Sequence, residues 1–232
     1  MRSGTNLVTT LLVQHWHIRV DDGAYGWKHS GVPVFKHHSP FRYPKVPIIL
    51  VTKDPYAFVL SMFKYSNSDT NAVKRISLRG SQIFDDFLRS PIYIWDSQLS
   101  GSPEMRFSDP IEYWNFLHWN IVSLNPKRFK VIQFRYEDIL ENPSILQRIS
   151  AITKARQKLD EINLPANVLK RGNGSKQNKT YDREFNGSIY THRKYLENLS
   201  SEQISFISAR VDRSLMKTLG YDLVEVRSTP TR

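Results

Sequence analysis

Cysteine is absent from the 232 residues. That excludes a disulfide-stapled scaffold, a cysteine nucleophile and cysteine-ligated zinc, while leaving the compartment undetermined. Long hydrophobic runs are also missing. A bilayer span needs about 20 consecutive apolar residues, and the longest run here, Pro47-Ile48-Ile49-Leu50-Val51, is the size of a single strand. Met1-Arg2 is followed at once by polar residues, so no secretory leader is read at the start; with no span and no leader, the expected compartment is the cytoplasm. No internal repeat is present and no second domain can be delimited. Acidic residues are in deficit: 22 Asp+Glu stand against 33 Lys+Arg, a formal charge of +11 and a pI near 9.8. Such a surplus attracts anions, whether nucleic acid, membrane surface, nucleotide or sulfated glycan, or else makes a generally basic surface.

What is present first is an anion-cradle pattern. Met1 to Thr10 reads Met-Arg-Ser-Gly-Thr-Asn-Leu-Val-Thr-Thr, followed by the apolar Leu11-Leu12-Val13. Gly4 allows a tight turn and close backbone approach to a ligand. The N–H groups of Thr5, Asn6 and Leu7 are then the open donors of a helix N-terminus, suited to phosphate or sulfate. Arg2 adds a forked, permanently charged donor. The plainer reading is a surface helix capped by Ser3 or Thr5. The Gly-Lys-Ser/Thr ending of a Walker A loop is missing. A phosphate loop normally follows a buried strand, and no residues precede Met1. Either the chain starts inside a longer one, or the sheet lacks its first strand, at an expected cost in stability.

Further on, strand and helix patterns alternate. A helix is expected from Asn6 to about Ile18, with Leu7, Leu11, Leu12 and His15 inward. Val32 to Pro40 reads as a short strand ending in a polar, Pro-terminated turn, with Lys36, His37 and His38 in its second half. Val46–Thr52 reads as a buried parallel strand ending at Lys53-Asp54-Pro55, with Asp54 near the cap and Pro55 in the first turn of a helix to Ser66. Residues 66–110 hold a helix around Ser81–Arg89 and recurrent aromatics, and read as a lid or acceptor-binding insertion or as irregular surface structure. Ile111–Asn125 is an amphipathic helix in which Trp114, His118 and Trp119 read as packing residues rather than site residues. Phe129–Phe134 is a strand ending at Arg135-Tyr136-Glu137-Asp138, and helix resumes from Ile139 to about Ile152. Ala166–Ser188 reads as an exposed basic loop, Ser201–Leu219 as one closing helix stopped by Gly220, and 223–232 as a flexible tail. The expectation is one α/β domain over 1–232: three layers, a mainly parallel central sheet flanked by helices, P-loop-like. Ligands in such folds bind at the carboxyl ends of strands, where His37-His38, Lys53-Asp54 and Arg135-Tyr136-Glu137 fall.

In this arrangement the sequence resembles the sulfotransferases that use 3′-phosphoadenosine 5′-phosphosulfate (PAPS). Four blocks match in order. Arg2-Ser3-Gly4-Thr5-Asn6 is similar to the loop that holds the 5′-phosphosulfate. Lys36-His37-His38-Ser39-Pro40 is similar to a Lys-x-His-x-Pro segment whose histidine is the catalytic base. Lys53-Asp54-Pro55, with Ser61 eight positions after Lys53, resembles the motif that holds the 3′-phosphate. Tyr136-Glu137-Asp138…Asn142-Pro143 resembles a block whose tyrosine lies near the adenine. The tail Arg193-Lys194-Tyr195-Leu196…Leu219-Gly220-Tyr221 resembles the family's closing helix. The likeness covers most of 1–222 except 66–110.

There are departures. Arg2 stands where soluble members often carry lysine, and resembles carbohydrate- and protein-acting branches; Asn6 replaces a frequent threonine. Lys53 replaces the usual arginine, so a bidentate grip becomes a point charge. Lys170-Arg171-Gly172 reads like the family's C-terminal Arg-Lys-Gly loop, although early relative to the closing helix; Arg183 and Arg193 are the other candidates.

The resemblance implies sulfuryl transfer from PAPS to an acceptor hydroxyl on a carbohydrate or small molecule. His38 takes the acceptor's proton, with His37 the fallback, and Lys36 and Arg2 steady the charge on the group in flight. Arg2, Ser3, Gly4, Thr5 and Asn6 hold the 5′-phosphate. Lys53 and Ser61 hold the 3′-phosphate, joined by Arg171 and Gly172. Tyr136 packs near the purine, with Trp27 on the other face. No metal is called for, because side chains supply the cations. The expected partners are the nucleotide donor and the acceptor, an anionic glycan being suited to the basic rim; no nucleic acid is expected. Two other readings stay open: a small-molecule P-loop kinase with Asp54 as magnesium ligand, and a non-catalytic polyanion binder.

Overall fold

The computed structural model describes residues 4–20, 47–66, 83–94, 105–123, 130–165, 168–170, 179–181 and 187–225. Within them the chain is mixed α/β: helices packed around a small parallel sheet, with two antiparallel strand pairs.

The parallel pair sets the geometry of everything that follows. Strand β1 (Ile48–Thr52) lies beside β4 (Val131–Arg135), in register from Ile48 opposite Val131 to Thr52 opposite Arg135. Parallel neighbours with matched ends deliver their next residues side by side, so Lys53-Asp54 and Tyr136-Glu137 leave the sheet together. The β-branched and apolar run of β1 is most deeply buried at Leu50, Val51 and Thr52. In β4 only the alternate residues Ile132 and Phe134 are fully buried. Helix α1 (Thr5–His15) precedes β1, and α2 (Pro55–Ser66) follows it with the bounds its sequence suggests. Asp54 caps α2 by accepting from Tyr56 N–H at 2.9 Å.

Residues 83–94 and 105–109 form α3 (Phe84–Leu88) and a short antiparallel pair, β2 (Ile92–Ile94) with β3 (Met105–Phe107). Phe87, Leu88, Ile92 and Phe107 lie in the main core, so these parts of the segment read as an insertion are integral to the packing. Helix α4 (Pro110–Val122) carries fully buried Ile111, Tyr113 and Trp114. Trp114 and buried His118 are packing residues as expected, whereas Trp119 is partly exposed and donates Nε1–H to Asp212 at 2.8 Å.

Several boundaries differ from the sequence expectation, each for a visible reason. Helix α1 stops at His15, not Ile18, because Trp16 drops into the core and the next residues pair with a later segment: His17 N–H donates to Arg156 O at 2.9 Å and Lys158 N–H to His15 O at 2.7 Å. Its N-cap is Gly4, with no side-chain cap, rather than Ser3 or Thr5. After β4, helix α5 (Tyr136–Glu141) begins three residues earlier than expected, placing Tyr136 and Glu137 in its first turn. Pro143 then breaks the course into a 3₁₀ turn (Pro143–Gln147) before α6 (Arg148–Thr153). Part of the supposed basic loop is a strand pair, β5 (Val168–Lys170) with β6 (Lys179–Tyr181).

Beyond it come a one-turn helix α7 (Ser188–Thr191) and a 3₁₀ turn (Lys194–Asn198). The closing helix is two helices, α8 (Ser201–Arg210) and α9 (Arg213–Leu219). Val211 is extended and buried, and Asp212 starts the second helix by accepting from Leu215 N–H at 2.9 Å. Ser200 and Gln203 form a reciprocal capping box on α8, and Gly220 ends α9 in the left-handed region. The segment expected as a tail from 223 is anchored at its start, where Leu223 and Val224 pack on the core and Val224 N–H donates to Tyr56 Oη at 3.1 Å. Among the described residues no helix is long and apolar enough to cross a membrane.

Candidate functional site

Among the described residues, Lys53, Ser61 and Tyr136 of the predicted site gather at the carboxyl ends of β1 and β4. Lys53, the first residue after β1, is 2 % exposed, and its Nζ donates to Ser61 Oγ at 2.9 Å. Ser61 lies two turns along α2, the face that the eight-residue spacing reaches. The Lys53 ammonium faces two aromatic rings, with centroids 4.8 Å away for Tyr136 and 4.1 Å for Tyr190. Those rings meet edge to face at 5.2 Å.

Tyr136 also touches the start of α1. A Cβ built on Gly4 would lie 2.1 Å from Tyr136 Cδ2, and Gly4 has φ +83°. Only glycine allows both that backbone and that approach. The motif glycine, the motif lysine–serine pair and the motif tyrosine therefore form one contiguous patch. Thr5 is half-buried and Asn6 exposed on the first turn of α1. Arg2, Ser3, Lys36, His38, Trp27, Arg171 and Gly172 lie outside the described residues, as do His37 and Arg183.

A second tier of buried polar groups fixes this patch. Glu137 accepts from Asp54 N–H at 3.1 Å through one carboxylate oxygen and from the Tyr221 hydroxyl at 3.0 Å through the other. Tyr221 Oη also lies 3.1 Å from Thr52 Oγ1. Burial pushes the Glu137 carboxyl above its ordinary pKa, with nearby Asp54 adding to the rise, although its hydrogen bonds oppose it. Trp114 Nε1–H donates to Lys53 O at 2.9 Å. The lysine-bearing turn is thus held from the α4 side and from the α5 side together.

Asp54, the carboxylate a kinase reading would place on magnesium, is otherwise engaged. Oδ1 caps α2, and Oδ2 accepts from Arg193 Nη2 at 2.8 Å. Arg193, one candidate for the C-terminal arginine of the donor site, also donates to Asp222 O at 3.1 Å and to Tyr195 Oη at 3.3 Å. Burial alone would lower its pKa, but Asp54 overrides this and holds it above the ordinary arginine range. Among the described residues no group of three or more His, Cys, Asp or Glu is placed to hold a metal ion.

Three residues of this site carried no reading of their own in the sequence. Glu137 and Tyr221 sit within recognised blocks, but only the parallel register reveals that they brace one turn. Tyr190 sits just beyond a polar stretch with no periodic signal; its position over Lys53 is purely tertiary. No family model, no curated protein and no solved structure matches this chain.

Proposed function

We propose that this chain is a sulfotransferase with a three-layer, P-loop-like fold, moving the sulfuryl group of PAPS to an acceptor hydroxyl on a carbohydrate or small molecule. The observation that supports it best is the pairing of Lys53 with Ser61 at 2.9 Å beside Tyr136, at the carboxyl end of a parallel strand. A cation and a hydroxyl donor next to an aromatic face suit a phosphorylated purine nucleotide. The residues present fit such a donor: Lys53 and Ser61 toward the 3′-phosphate, Tyr136 toward the purine, and the N–H groups of Gly4, Thr5 and Asn6 with Arg2 and Ser3 toward the 5′-phosphate.

In this reading the acceptor oxygen bonds to sulfur as the bond from sulfur to the 5′-phosphate oxygen breaks. His38 takes the acceptor's proton, and Arg2 and Lys36 counter charge growing on the leaving oxygen and the sulfuryl oxygens. Arg171 and Gly172 complete the 3′-phosphate loop. The engagement of Asp54 as the α2 cap and as the partner of Arg193 favours this reading over a kinase with Asp54 on magnesium.

The test is calorimetric titration with 3′,5′-phosphoadenosine beside 5′-AMP. We expect 3′,5′-phosphoadenosine to bind more tightly, and Lys53→Met, which keeps the packed stem, to remove about ten- to a hundredfold of that affinity through loss of one charged hydrogen bond. Equal binding of both nucleotides, or none by folded protein, overturns the donor site and favours a non-catalytic polyanion binder.

A further inference from the structure

Tyr190 is the group nearest the Lys53–Ser61 pair that no sequence motif assigns. It stands on α7 with its ring centroid 4.1 Å from Lys53 Nζ and its edge against Tyr136. The Lys53 ammonium that its ring faces is the one donating to Ser61 Oγ at 2.9 Å. An ammonium, an aliphatic hydroxyl and a phenol ring are therefore gathered in one cluster. Each can donate to an oxyanion, and a phosphate monoester has enough acceptor oxygens to take all three. The convergence also bears on the replacement of arginine by lysine at position 53. Lysine supplies charge without a directional fork, and a tyrosine hydroxyl held at a fixed angle supplies the missing direction.

We propose that Tyr190 is a further ligand of the 3′-phosphate, beside Lys53 and Ser61, and sets the preference for 3′-phosphorylated nucleotides; this rests on the donor site proposed above. When a phosphate oxygen arrives, the phenol donates its O–H to it, and the ring stays against Tyr136. The environment favours such donation. Burial would raise the phenol's pKa, but Lys53, the hydrogen bonds from Ser61 and Lys53, and Lys64 together bring it below the ordinary value of 10.

The experiment compares wild type, Tyr190→Phe, Ser61→Ala and the double variant for binding of 3′,5′-phosphoadenosine and of 5′-AMP. Phenylalanine keeps the ring and its packing. We expect Tyr190→Phe to weaken 3′,5′-phosphoadenosine about tenfold or more while 5′-AMP stays within about twofold, the loss of one hydrogen bond to a charged group. The double variant should lose less than the product of the single losses, since both hydroxyls serve one phosphate. A merely structural role would weaken both nucleotides alike, and that result overturns the proposal. If wild type distinguishes the two nucleotides and Tyr190→Phe does so equally well, the role of Tyr190 falls while the donor site stands. If wild type does not distinguish them, both fall.

Discussion

Gly4→Ala probes the contact on which the patch is built. Two costs combine. Alanine must adopt φ near +83°, and the left-handed region costs an L-residue roughly 1–2 kcal/mol. Its Cβ would also lie 2.1 Å from Tyr136 Cδ2 and 2.5 Å from Cε2, so the ring must retreat by more than about an ångström to reach ordinary contact. Tyr136 is buried among Leu7, Ile139 and the Lys53 ammonium, and overpacking of this kind typically costs about 1–3 kcal/mol. The expected loss is about 2–5 kcal/mol. Gly220→Ala is the internal control. It has φ +75° but meets only the flexible end of Arg135, at 3.6 Å, so it should cost about 1–2 kcal/mol from the backbone alone. Urea unfolding followed by tryptophan fluorescence suits both, because Trp16 and Trp114 are fully buried. Equal destabilisation by the two substitutions would refute the close approach of Gly4 to Tyr136, and with it the contiguity of the site.

Two further substitutions test the supports around that patch. Glu137→Gln removes a buried carboxyl whose folded-state pKa is raised above its ordinary 4.5; in wild type the stability linked to that group is complete below the unfolded pKa and is lost as pH rises through the folded one. The stability of the glutamine variant relative to wild type should therefore increase with pH across that window and then level off, and a pH-independent difference in urea midpoint would refute it. Asp212→Ala should cost about 1–2 kcal/mol in the same assay, because Leu215 N–H and Trp119 Nε1–H both lose their acceptor. Asp212→Asn should recover most of that loss, and an alanine variant as stable as wild type would show that the break between α8 and α9 does not depend on the cap.

Much of the local structure was legible because local rules decide it. The continuous β-branched run of β1, the Asp54-Pro55 start of α2, the amphipathic stripe of α4 and the Gly220 stop appear where spacing and capping chemistry place them. The resemblance grouped Lys53 with Ser61 by role alone, and the fold brings their side chains to 2.9 Å because the eight-residue spacing returns to the same face of the turn and helix. Where a long-range contact competes with a local pattern, the sequence misleads. The stripe from Ile204 to Leu219 reads as one helix, yet Asn115 on α4 holds both sides of the break through Arg210 O and Asp212 N–H.

By itself, then, the sequence determined the two parallel strands and the main helices after them, the basic character and the motif order, because these follow from periodicity, charge and short-range capping. The tertiary structure alone decided that β1 and β4 end in register. That register brings Glu137 under Asp54, and Tyr136 onto Gly4 and beside Lys53. It also decided that Tyr190, well over a hundred residues from Lys53 in the chain, stands over its ammonium group. Contacts at that separation depend on how two strands and their following helices pack, and no window of sequence contains both partners.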